Sequence, residues 1–96
     1  MRVMLRVTIP VEYGNAAIKD GSLAKIIGGV IEKTKAEAAY FSTYQGKRSG
    51  YIFFEMNDSS EMPSIAEKLF EELHAEIDFQ PVMNVNDLQK GLTAVM

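Results

Sequence analysis

Seven side chains carry most of the chemical potential of this sequence: Met4, Arg6, Tyr40, Tyr44, Tyr51, Phe53 and Glu55. All fall at alternate positions of segments that read as strands, so they share one sheet face. A guanidinium, a carboxylate and phenol groups among apolar walls suit a small organic ligand or a subunit interface. Arg6 and Glu55 are expected to pair across adjacent antiparallel strands. An acid/base pair needs two carboxylates held close in unlike environments. The carboxylates placed on this face are Glu55 and Asp78, on strands that are not neighbours, so an ion pair of Glu55 with Arg6 is favoured over a dyad. The single histidine, His74, sits at the end of a helical stripe, where the helix dipole alone favours it. A solvated helix end is its expected role, ahead of general base.

Other chemistry is excluded by what is missing. The sequence has no cysteine and one histidine, which removes disulfides, thiol nucleophiles, iron–sulfur clusters and any Cys- or His-rich metal site within one chain. No metal and no cofactor is expected. The glycines form neither a dinucleotide-binding nor a P-loop pattern. Net charge is −3, and no basic cluster exceeds Lys47-Arg48, which counts against nucleic acid and anionic membranes as partners. Gly50-Tyr51-Ile52-Phe53-Phe54 has the alternating aromatics of RNA-stacking strands, but the basic-Gly-aromatic-Gly pattern and an aromatic partner on the first strand are absent. Arg6 falls too early for a signal-peptide core, and no apolar run approaches the ~20 residues of a membrane span. A cytoplasmic location is the default expectation.

The 96 residues, 47% apolar and 24% charged, fit one globular domain over residues 1–96. Residues 2–9 alternate, with Val3, Leu5, Val7 and Ile9 inward, and Pro10 ends the strand. Residues 13–21, between Gly14 and Gly21, read as a loop with one helical turn. Ser22 reads as the cap of a helix with the stripe Leu23, Ile26, Ile27, Val30 and Ile31. Gly28-Gly29 inside it costs roughly 1 kcal/mol per glycine, which a close helix–sheet approach would offset. Residues 36–44 and 48–56 flank Gln45-Gly46 as a hairpin, with Ala39, Phe41, Ile52, Phe54 and Met56 inward. Asp58-Ser59-Ser60 open a second helix with Pro63 in its first turn and Met62, Ile65, Ala66, Leu69, Phe70 and Leu73 as its stripe. Residues 76–83 form a fourth strand, placed at an edge by Pro81. Asn86 reads as the cap of a short closing helix carrying Leu88, Leu92 and Val95.

The order βαββαβ predicts an α+β fold of ferredoxin-like layout: a four-stranded antiparallel sheet in the order 4-1-3-2, two helices on one face, and a short C-terminal helix. The other face then carries aromatic and apolar side chains with no helix over them, which predicts a homodimer.

The runs Gly14–Gly21, Glu37–Phe41, Tyr51–Phe54, Pro63–Glu67 and Pro81–Asn84 with Asp87-Leu88 resemble an uncharacterised bacterial family of small dimeric ferredoxin-like proteins. More loosely, the layout is similar to the dimeric α/β-barrel superfamily, whose members include muconolactone isomerases, cofactor-free monooxygenases and haem-degrading enzymes. That resemblance implies two open sheet faces meeting around a pocket, and it maps no catalytic residue onto this chain. Two functions are compatible with the sequence. One is a homodimeric binding or regulatory module. The other is a small cofactor-independent enzyme, isomerase- or monooxygenase-like, acting on an aromatic or cyclic organic molecule between the open faces.

Overall fold

The computed structural model describes residues 1–96. Strand β1 (Arg2–Ile9) runs up the middle of the sheet and is followed at once by helices α1 (Val11–Lys19) and α2 (Ser22–Thr34). Strands β2 (Ala38–Tyr44) and β3 (Lys47–Glu55) form a hairpin, then a 3-10 turn (Ser59–Glu61) leads into α3 (Met62–Leu73). Strand β4 (Glu76–Pro81) and helix α4 (Val85–Thr93) complete the chain. All pairings are antiparallel and the spatial order is β2-β3-β1-β4, which is the expected 4-1-3-2 counted from the other edge. The architecture is thus α+β with an open sheet, compatible with a ferredoxin-like layout.

Strand alternation decides which side chains meet the helices. Val3, Leu5, Val7 and Ile9 of β1 and Ile52 and Phe54 of β3 are buried against Ile26 and Val30 of α2 and Ile65, Leu69 and Leu73 of α3. Burial of this order is worth about 1.5–3 kcal/mol per large apolar side chain. The hairpin turns on Gln45 (φ 52°) and Gly46 (φ 78°). Two successive positive φ values match the right-handed twist of the flanking strands, and they fix Tyr40 opposite Tyr51 and Phe41 opposite Gly50. Pro81 lies in β4, at an edge as expected.

Four expectations are corrected. Residues 11–19 form a nine-residue helix, not a loop. Gly14 is buried inside it, and the Arg48 side chain crosses α1 there, with Nη1 2.7 Å from where a Cβ would sit. Ser22 is not the cap of α2: Gly21 (φ 81°) holds that place, and the Ser22 amide donates to Asp20 Oδ1 at 2.8 Å. The Ser22 hydroxyl and then this amide hold the Asp20 carboxyl below the usual carboxylate range. Gly28 and Gly29 face outward, with nothing within 4 Å of where a Cβ would sit, so no close approach to the sheet explains them. The cap of α4 is Asn84, reciprocally bonded with Asp87, two residues ahead of Asn86.

Candidate functional site

The open sheet face is built as cross-strand rows. Tyr40, Tyr51, Arg6 and Asp78 lie side by side across all four strands; Ala38, Phe53, Met4 and Gln80 form the next row. Toward the hairpin end come Ser42, Ser49, Thr8 and Glu76. Sheet pairing thus brings five of the seven candidate side chains, Met4, Arg6, Tyr40, Tyr51 and Phe53, into two adjacent rows, with Tyr44 opposite Lys47 and Glu55 opposite Arg2 beyond them. Tyr40 is 65% exposed and meets Phe53 edge to face, ring centroids 6.3 Å apart. Met4, Tyr44, Tyr51 and Phe53 are half-buried.

Arg6 is the hub. Its Nη2 donates to Asp78 Oδ2 at 2.6 Å, and its Cζ lies 4.1 Å from the centroid of the Tyr44 ring. Short side chains in the intervening row, with Thr8 and Ser49 buried and 3.3 Å apart between hydroxyls, leave room for that cation–π contact. The hydrogen bond that Arg6 donates to Asp78 raises the pKa of the guanidinium above its ordinary value, against the opposing effect of desolvation. The Arg6 Nε is buried and makes no hydrogen bond.

The expected Arg6–Glu55 pair does not form. Register places Glu55 opposite Arg2, while Tyr51 stands opposite Arg6; four residues along β1 separate the two, roughly 13 Å at ~3.3 Å per residue. Glu55 meets the amino group of Met1 instead. Asp78 and Glu55 likewise stand in different rows, so no carboxylate dyad is assembled. His74 takes a left-handed conformation (φ 51°) at the end of α3 and stacks on Tyr13 of α1, ring centroids 3.8 Å apart at 16°. This stack joins the ends of two helices, away from the sheet rows. No three His, Asp or Glu side chains converge to hold a metal ion, and no helix is long and apolar enough to cross a membrane.

The helix side of the sheet carries a second site, which the sequence reading missed. A cavity of about 470 Å³ opens between α1, α2 and the β2–β3 end of the sheet. Its floor is Val7, Ile9 and Gly50, its walls include Ala17, Leu23 and Ile27, and Phe41 and Arg48 also line it. Phe41 was expected in the core; it points to the helix side but lies on an edge strand and is 61% exposed. Its ring lies over Gly50, where an added Cβ would come within 3.2 Å of it. Comparison with protein-family models and with curated proteins finds no match. The two surfaces must therefore be read from their own chemistry. A signal for the cavity was present in the sequence: Gly50 occupies an inward position of β3, between larger residues, and leaves a gap on the helix side.

Proposed function

We propose that this chain is a homodimeric binding or regulatory module of the ferredoxin-like kind, whose subunits meet across the open sheet faces. The supporting observation is the set of rows carrying Met4, Tyr40, Tyr51 and Phe53 with no helix laid over them. A sheet covered on one side only leaves its second face to solvent, and such a face is normally polar. Four strands at ~4.8 Å spacing and about eight residues at ~3.3 Å give a face of roughly 500 Å² in projection. With side chains standing on it, that approaches the ~800 Å² per partner of a standard interface. Pairing of Arg6 with Asp78 suits burial, since no bare cation would be carried into the interface. One self-complementary patch serving both subunits gives two-fold closure.

Kinship with the bacterial dimeric family and the wider dimeric α/β-barrel group belongs to this proposal, as does a cytoplasmic compartment. The enzymatic alternative places an aromatic or cyclic substrate between the faces, with Arg6 orienting an anionic or carbonyl group. It ranks second because Arg6 and Asp78, the cation and the carboxylate nearest each other on this face, are already engaged in one ion pair. The test is molar mass by light scattering at micromolar concentration. A mass twice the 10.7 kDa of the chain for the wild type, and a monomer for Phe53→Glu, are expected. A monomeric wild type, or a Phe53→Glu dimer of unchanged stability, would remove the open face as the interface.

A further inference from the structure

We propose that the helix-side cavity binds a small amphipathic monocarboxylate, its apolar body between α1, α2 and the sheet and its carboxylate on Arg48. The site is separate from the open face and does not depend on how subunits assemble. Three observations combine. First, the cavity is a ligand-sized hollow of about 470 Å³, inside the ordinary range for small-molecule sites. At roughly 30 Å³ for each buried heavy atom, the share of a water molecule, it holds on the order of fifteen such atoms. Second, its surface is predominantly apolar, with Ser42 and Ser49 as its uncharged polar residues and a single charge. Val7, Ile9, Ala17, Leu23 and Ile27 offer no hydrogen bond that would reward a polar body, and Arg48 is the one charged residue lining the space.

Third, Arg48 has unused bonding capacity of one sign. Arg2 and Arg6 both have carboxylate partners, Glu37 at 2.5 Å and Asp78 at 2.6 Å. Arg48, the remaining arginine, has none within 4 Å; its Nη2 donates to Asn15 Oδ1 at 2.9 Å and its Nη1 to the Val11 carbonyl at 3.5 Å. Both acceptors are neutral, and a guanidinium has five N–H donors in a planar fork that matches a carboxylate. The fork lies against Gly14 of α1, where an added Cβ would meet Nη1 at 2.7 Å and displace it.

The competing occupant is a helix of a second copy. Leu88 and Leu92 of α4 are exposed, but nothing in them answers the positive charge of Arg48. The carboxylate accounts for both the apolar walls and the cation.

The experiment is isothermal titration calorimetry of the full chain at pH 7 with octanoate, octan-1-ol and octylamine. Octanoate is expected to bind at one site per chain, about tenfold or more tighter than octan-1-ol, a difference of about 1.4 kcal/mol or more, and octylamine more weakly than either. Arg48→Gln should erase the preference for octanoate over octan-1-ol while leaving octan-1-ol binding in place. Gly14→Ala, which keeps the charge but pushes the guanidinium aside, should reduce the preference. Ala24→Phe, from an exposed position on the cavity lining, should abolish binding of all three without loss of the far-UV circular dichroism of the wild type. Equal affinity for octanoate and octan-1-ol, an unchanged preference in Arg48→Gln, or no binding into the millimolar range would each overturn the proposal. So would octanoate binding that appears only after Leu88→Glu and Leu92→Glu together, since α4 of a second copy would then be the occupant.

Discussion

Replacing Gly28 and Gly29 by alanine should stabilise the protein. Both glycines lie inside α2 with ordinary negative φ and point outward, and a Cβ at either position would have no heavy atom within 4 Å. The substitution therefore adds no clash and removes no contact. What remains is the backbone entropy that glycine loses on entering a helix, about 0.8–1.0 kcal/mol per residue relative to alanine. The two residues are adjacent, and adjacent side chains do not face each other on a helix, so the effects should add to about 2 kcal/mol. At about 4–8 °C per kcal/mol for a domain of this size, Tm should rise by roughly 8–16 °C in the double variant. Urea unfolding followed by circular dichroism gives the same quantity as a higher midpoint at unchanged slope. A loss of stability in either single variant would refute the reasoning, because it would mean that the outer face of α2 is packed against something. If that something is a second copy, the loss would depend on protein concentration, which the argument from α2 alone does not allow.

Two further outcomes follow from local geometry. Gly50→Ala should destabilise the wild type, because its Cβ presses on the Phe41 ring at 3.2 Å, but should be neutral or stabilising in a Phe41→Ala background; equal effects in both, measured as a double-mutant cycle by urea unfolding, would deny the contact. The Asp58 carboxyl is held below the usual carboxylate range by the Ser60 hydroxyl and then its amide. Its folded pKa is depressed, so the stability it adds is fully present above the ordinary value of about 4 and is lost as pH falls through the folded value. The stability gap between wild type and Asp58→Asn should accordingly shrink below about pH 4, and a gap constant down to pH 2 would show that the ionised form has no special role.

How much could be read from the sequence differs by level. Period-two alternation places Val3, Leu5, Val7 and Ile9 under the helices and Met4, Arg6 and Tyr51 on the opposite face, and the structure agrees. Face assignment needs only parity. Register needs more, and this is where the Arg6–Glu55 pairing fails: both residues sit on the expected face, but β1 and β3 are joined through two helices and a third strand, so no short turn ties their offset to sequence distance. The hairpin partners Tyr40 and Tyr51 were legible because a two-residue turn ties register to sequence distance. Helix α1 was hidden by Gly14, whose meaning depends on Arg48, a residue 34 positions away by subtraction of the two numbers. Phe41 shows a different limit. Its parity is right, but an edge strand runs past the cover of the helices, and no local pattern reports where that cover stops. The cavity had a local signal in Gly50 at an inward position of β3, but its size depends on where that cover stops.

Helix α4 has a consequence for how the chain breathes. None of its residues is buried, and near its start, beyond its own Asn84–Asp87 capping box, Asp87 lies 3.6 Å from Arg2 of the sheet. The molecule is 53 Å long and 18 Å thick, with a radius of gyration of 15.0 Å, against roughly 12–13 Å for a compact domain of this length. A nine-residue helix without tertiary packing is marginal in water. Amide hydrogen exchange should therefore show two separate tiers. The amides of β1 and β3 would open only with global unfolding, whereas those of Leu88 to Thr93 would exchange through local fraying whose rate ignores denaturant. Any partner that covers α4 would lift its amides from the lower tier toward the upper one, so the slowing of exchange at those few residues would report its arrival directly.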